Sequence, residues 1–200
     1  MLHDDPPRPA PTHPDEPLLL VLARHGRTAL NAEGRLRGLA NPPLDEVGAA
    51  EAERLAAALA GFRFGRVLSS PLDRAVSTAA IIAGAAGVPA ASDDRFNDRD
   101  YGPWTGHPKD DVVAEFGSVD DAPGVEPREA VLARVLPALD DVIADGPLVV
   151  VTHDAVIRPL LQAIDPELGD LVVDTASWNL LERVDGGWVV LSTDNKPAAP

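Results

Sequence analysis

Apolar positions in this chain fall into short continuous runs and longer periodic ones. Leu18 to Ala23 (LLLVLA) and Leu148 to Thr152 (LVVVT) are continuous and bounded by turn-forming residues, which predicts strands buried on both faces. Arg66-Val67-Leu68-Ser69 predicts another strand, and Val88 to Ala91 a short further one. Between them the spacing lengthens to that of helices. From about Asp45, Leu55, Leu59 and Phe62 recur on one face, with Gly61 near the end. A second helix starts at Pro71, with Ser70 placed to cap it and Leu72, Val76, Ala79 and Ala83 as its apolar stripe. Arg128 to Ala144 turns Val131, Val135, Leu139 and Val142 inward, and Pro137 should kink it or free a backbone carbonyl. Another helix runs from about Ala155 to Ile164. Residues 93 to 126, rich in Asp, Gly and Pro, predict a long functional loop with a helical turn or two. Ser177 to Val184 and Trp188 to Thr193 predict a hairpin around Asp185-Gly186-Gly187.

Strands alternating with helices predict a single-domain α/β fold, with a mostly parallel central sheet covered by helices on both faces. A chain of 200 residues fits one domain. The expected boundaries are a Pro-rich tail at 1–17, a catalytic domain at 18–194 and a C-terminal tail at 195–200. The first segment carries six prolines and no apolar run. It is therefore no signal peptide, and its composition cannot repay its ordering entropy, which predicts flexibility. His3 and His13 lie in it and are set aside.

Composition narrows the function further. No run is long and apolar enough to span a membrane, so a cytoplasmic protein is the default expectation. The absence of cysteine excludes disulfides, thiol nucleophiles and cysteine-held metal. A net charge of -15 speaks against nucleic acid and anionic membranes as partners. Yet Arg24, Arg27, Arg35 and Arg37 fall within fourteen positions, and local cations can hold an anion in an acidic protein. A solvated loop could show the same clustering by chance. Nothing in the sequence fixes the oligomeric state.

Ligands of open α/β sheets bind at the carboxyl ends of the strands. Arg24-His25, Ser69-Ser70 and His153-Asp154 each follow a predicted strand. Two of the three histidines outside the tail therefore stand at equivalent strand ends. The third, His107, sits beside Pro108 with no other histidine clustered near it, so it reads as a loop residue and no metal site is expected.

Four motifs carry a resemblance. Arg24-His25-Gly26-Arg27-Thr28 with Asn31, Ser69-Ser70-Pro71-Leu72-Asp73-Arg74-Ala75 with Thr78, Gly102-Pro103-Trp104-Thr105-Gly106, and Val151-Thr152-His153-Asp154 followed by Val156-Ile157-Arg158 stand in the order and spacing of the histidine phosphatase superfamily. That superfamily includes the cofactor-dependent phosphoglycerate mutases. The resemblance implies a phosphoglycerate mutase-like fold and a small phosphorylated substrate. It also implies phosphoryl transfer through His25, with neither metal nor other cofactor. A neutral imidazole nitrogen is available as a nucleophile near physiological pH, and its other nitrogen should donate to a backbone carbonyl. Arg24 and Arg74 supply planar forks for phosphate oxygens. His153 stands against the phosphate opposite His25, while Asn31 and Thr28 donate from the loop.

The acid that protonates the leaving oxygen stays open between two residues. Small relatives use a glutamate four residues before the first glycine of the Gly-x-Trp-x-Gly element; here that position holds Asp98, shorter by roughly 1.5 Å of bond length. Asp154 competes as the aspartate of a His-Asp pair, or else it caps the following helix. Other departures are Arg37 where relatives often have glutamine, Thr105 in place of glutamate, and Val125-Glu126-Pro127 in place of Gly-Glu-Ser. The stretch from Gly106 to Glu126 is short for a mutase. Three readings follow: a phosphomonoester hydrolase, a phosphoglycerate-type mutase, or a non-catalytic phosphate-binding pseudo-phosphatase. Trp104 and Trp178 either line the entrance or serve as packing residues.

Overall fold

The computed structural model describes residues 17–198, so the expected tail at 1–17 lies almost wholly outside the described residues. Six strands form one sheet: β1 (Leu18–Arg24), β2 (Val67–Ser69), β3 (Ala90–Ser92), β4 (Leu148–Thr152), β5 (Trp178–Val184) and β6 (Gly187–Asn195), in the order β3-β2-β4-β1-β5-β6. The pairs β2–β3, β2–β4 and β1–β4 are parallel. The hairpin β5–β6 adds two antiparallel strands beside β1. β6 runs through Asn195.

Both faces of the central strands are buried because their alternate side chains feed two separate cores. Leu20 and Leu22 of β1, with Leu148 and Val150 of β4, pack under α5 (Arg128–Ile143) and α6 (Asp154–Ile164). Val21, Ala23, Val149 and Val151 face α2 (Glu46–Ala58) and α3 (Asp73–Ala86) on the other side. Asp45 caps α2 by accepting from the Gly48 amide at 2.7 Å. α5 continues through Pro137 without a break.

Three expectations need correction. α3 begins at Asp73, with Leu72 as its N-cap and no side-chain cap; Ser70 is used elsewhere, as described below. Val76 is 40 % exposed, while the buried face of α3 carries Arg74, Ala75, Thr78, Ala79, Ile82 and Ala83. Two polar side chains turned inward rotate the helix away from its most hydrophobic stripe. The region 93–126 holds more structure than a loop: two single turns (Asp94–Phe96 and Gly102–Trp104) and the eight-residue helix α4 (Lys109–Phe116). The four-residue α1 (Ala29–Ala32) is also not anticipated by periodicity. Among the described residues no helix is long and apolar enough to cross a membrane.

Candidate active site

Sheet order brings the polar strand ends together. β2, β4 and β1 are consecutive neighbours, with Ser69 level with Val151 and Arg24 level with Thr152. His25, Ser70 and His153 therefore leave the sheet side by side. The two imidazoles are fully buried, with ring centroids 5.1 Å apart. The loop after β1 is pressed onto the start of α2: a Cβ at Gly26 would run into the Gly48 carbonyl, and one at Gly48 into the Arg27 backbone. Only a pair of glycines allows this approach. It fixes His25, with the Gly26 amide donating to Thr78 Oγ1 at 3.1 Å.

Hydrogen bonding sets the ring tautomers. His25 Nδ1 lies 2.6 Å from the Gly26 carbonyl, which can only accept. Nδ1 therefore carries the proton and Nε2 the lone pair. Nε2 is buried and has no partner. His153 Nε2 lies 2.7 Å from Ser70 Oγ, which also accepts from the Leu72 amide at 3.2 Å. The Ser70 hydroxyl proton is thus free to donate to Nε2, and we assign the Nδ1–H tautomer to His153. That Nδ1 is buried without a hydrogen-bond partner, 3.5 Å from Asp98 Oδ2.

Both rings are neutral near pH 7. Burial pushes the pKa of His25 well below 6.5, assisted by His153, Arg74, Arg24 and Arg37. Burial does the same for His153, assisted by Arg74, Arg37 and Arg24. In the unfolded chain these rings protonate near about 6.5. Below that pH the unfolded state binds more protons than the folded one, so stability is full above about 6.5 and is lost as pH falls toward the depressed folded values. The urea midpoint should therefore drop between about pH 7.5 and 5.5, and the drop should shrink in His153→Asn. An equal drop in that variant would contradict the assignment.

The arginines complete a ring of donors. Arg24 Nη1 donates to the Val173 carbonyl at 2.6 Å; burial and then Arg37 lower its pKa to about 10, so it stays charged. Arg74, on the first turn of α3, is fully buried. Its Nη1 donates to the Ala40 carbonyl at 2.7 Å, and its Nη2 to the Gly38 carbonyl and to Asp98 Oδ2, each at 2.8 Å. Arg24 Nε, Arg37 Nε and Arg74 Nε are buried without partners, like the two ring nitrogens. An unmatched buried donor costs about 1–3 kcal/mol, and an oxyanion among these groups would satisfy several at once.

Asp98 is held over the same point. Its Oδ1 accepts from the Arg99 amide at 2.8 Å. Thr152 Oγ1 donates to the Phe96 carbonyl at 2.7 Å. From α5, Arg134 donates to the carbonyls of Arg95, Asn97 and Asp98. Asp154 stands apart. It is the first residue of α6, whose N-cap is His153, so it does not cap the helix, and both its oxygens accept from Arg158 Nη2 at 2.6–2.7 Å.

Thr28 also departs from expectation. It is fully buried, caps α1, and donates to Asn31 Oδ1 at 2.8 Å. Asn31, its Oδ1 occupied by Thr28, lines the adjoining cavity of about 470 Å³ together with Arg24, Arg37 and Asp154. Arg27 turns away to Asp45 at 2.9 Å. Trp104 packs edge-on against Phe116, and Trp178 against the α2–α3 core; neither lines the cavity. Sequence reasoning passed over Arg134 and gave Thr152 no role of its own, because only the folded chain brings them to the segment at 95–98.

A profile of the histidine phosphatase superfamily (branch 1) matches residues 20–196. The chain is 36% identical to a 2,3-bisphosphoglycerate-dependent phosphoglycerate mutase of Methylobacterium sp. (strain 4-46), over 74% of this chain and 80% of the mutase. It is 30% identical to the phosphatase PhoE of Bacillus subtilis (strain 168), over 84% of this chain and 90% of PhoE. Among solved structures, a mycobacterial glucosyl-3-phosphoglycerate phosphatase in complex with VO3 superposes with a TM-score of 0.78 at 26% identity, over 89% of this chain and 99% of that one.

Proposed function

Because the chain belongs to the histidine phosphatase superfamily, branch 1, we propose that it hydrolyses the phosphomonoester of a small metabolite through a phosphohistidine on His25. The carrying observation is the His25 Nε2 lone pair, buried and unpartnered among Arg24, Arg74 and His153. In the first step Nε2 attacks phosphorus and the ester P–O bond breaks, with a proton passing to the leaving oxygen. In the second, water attacks phosphorus and loses a proton while the P–N bond breaks, which returns the lone pair to Nε2 and releases inorganic phosphate. Arg24, Arg74 and the His153 Nδ1–H neutralise the equatorial oxygens. Asn31 donates from the loop, and Thr28 acts through Asn31.

Asp98 is the proposed acid and then base, since it touches both Arg74 and His153 while Asp154 is engaged by Arg158. An entering phosphoryl group competes with the Asp98 carboxylate for Arg74. Asp98→Asn should cost an alkyl phosphate about 10-fold or more relative to p-nitrophenyl phosphate, whose phenolate leaves unaided. Asp154→Asn should show no such selectivity. A selective alkyl defect in Asp154→Asn with Asp98→Asn silent would reverse the assignment.

Alignment lengths support hydrolysis over mutase chemistry. The 167-residue match to the mutase takes in 74% of this chain, about 148 residues, so about 19 aligned positions of the mutase have no counterpart here. The 175-residue match to PhoE takes in 84%, about 168. The higher identity to the mutase keeps a second reading in view, in which phosphate passes to a second hydroxyl. Release of inorganic phosphate from a panel of phosphorylated metabolites, with EDTA present, is expected. Isomerised phosphoester without phosphate release would establish a mutase. Activity lost to EDTA and restored by metal would refute the mechanism. A stable phospho-His25 without turnover would mark a pseudo-phosphatase.

A further inference from the structure

Asp98 is shorter than glutamate by one methylene, roughly 1.5 Å of bond length. Its Oδ2 still comes within 2.8 Å of Arg74 Nη2 and 3.5 Å of His153 Nδ1. A short side chain reaches that far only if its main chain is held close to the reacting point. Residues 95–98 form no strand, and the single turn Asp94–Phe96 ends at Asn97. Their carbonyls therefore have no repeating ladder to join, yet main-chain acceptors in a packed segment need donors. Among the described residues those donors are two side chains. Arg134 Nη1 donates to the Arg95 and Asn97 carbonyls, each at 2.8 Å, and Arg134 Nη2 to the Asp98 carbonyl at 3.1 Å. Thr152 Oγ1 meets the remaining one, that of Phe96.

The Arg134 fork is itself fixed. α5 carries it next to Val135 and one turn after Val131, both fully buried, and Phe96 is buried in the same core. Glu126 Oε1 accepts from Arg134 Nε at 3.4 Å, while its Oε2 accepts from the Asp100 amide at 3.0 Å. One carboxylate thus sets the guanidinium in register with the chain just beyond Asp98. A planar guanidinium presents its donors in a rigid geometry, so three carbonyls on one fork are fixed relative to one another. The hydrogen bonds of Arg134 go to main-chain carbonyls and to Glu126, and none goes to a group assigned to the phosphoryl.

We propose that Arg134 is a positioning residue for the acid step: by gathering the carbonyls of residues 95, 97 and 98 it holds the Asp98 main chain where a short carboxyl reaches the leaving oxygen. This rests on the reading of Asp98 as the acid of a phosphomonoester hydrolase. Without the fork, three carbonyls lose their donor and the segment relaxes away from α5. A displacement of about 1 Å at a proton donor is enough to slow its transfer severely.

The test is the ratio of turnover on an alkyl ester to turnover on p-nitrophenyl phosphate. Loss of folded protein lowers both rates alike, whereas a misplaced acid slows only the ester whose leaving oxygen needs a proton. The alkyl ester is the one that the native protein hydrolyses fastest in the metabolite panel. Arg134→Met keeps an apolar stem against α5 and removes every donor. It should lower the ratio about threefold or more, and by no more than Asp98→Asn does. The double variant should show the ratio of Asp98→Asn alone, since no acid is left to position. Should Arg134→Met not fold, Arg134→Lys, which keeps the charge and loses the fork, should show the same selective loss. A folded Arg134 variant that slows both esters equally or neither, or a double variant whose ratio falls below that of Asp98→Asn, would overturn the positioning role while Asp98 stays the acid. An unchanged ratio in Asp98→Asn would overturn the acid reading and the role of Arg134 with it. No phosphate release from any ester by the native protein would overturn the hydrolase reading beneath both.

Discussion

His25→Ala should leave no measurable turnover, a fall of about four orders of magnitude or more, as for other covalent nucleophiles. Among the described residues no other unprotonated ring nitrogen is buried without a partner: His153 presents an N–H to the site, and its Nε2 is engaged by Ser70. His25→Asn is the companion variant, since its side-chain amide can still donate to the Gly26 carbonyl and hold the loop. Both variants should melt within a few degrees of the native protein. Near-native turnover in either would remove His25 from the mechanism.

The second large effect belongs to Arg74, whose removal should damage both stability and catalysis. The Arg74–Asp98 pair is buried on both sides. Deleting the guanidinium strands the Asp98 carboxylate and leaves the Gly38 and Ala40 carbonyls without their donor. Breaking one side of a buried pair costs about 3–5 kcal/mol, so Arg74→Ala should lower the urea midpoint accordingly and retain at most a trace of activity. Adding Asp98→Asn removes the stranded charge and should recover part of the stability but none of the activity. Recovery of neither would mean that Arg74 acts mainly through packing. Native stability in Arg74→Ala would contradict the ion pair's role.

The strands were legible because both their faces are buried: LLLVLA has no polar position and LVVVT only its last, Thr152, and each run forms the strand it predicts, β1 extending by one residue through Arg24. The placement of His25 and His153 followed, since each comes directly after such a run. α3 was harder. Arg74 and Thr78 are turned into the site, so the hydrophobic stripe through Val76 named the wrong edge of the buried face. Ser70 and Asp154 looked like caps by residue type, but one is taken by the His153 ring and the other by Arg158. Neither choice is visible without the third dimension. Thr28 carried the right residue type for a phosphate donor, yet a local capping box with Asn31 consumes it. The clamp by Arg134 on residues 95–98 joins α5 to a loop 36 to 39 positions away, and no spacing rule reaches that far.

The most direct test of the account is to quench the native protein during turnover of a phosphomonoester, digest it at alkaline pH, and locate the phosphoryl group by mass spectrometry. The account predicts a single acid-labile phosphoryl group on His25, formed before phosphate is released and lost at the rate of turnover. Phosphorylation at any other residue, or steady turnover with His25 never modified, would contradict it.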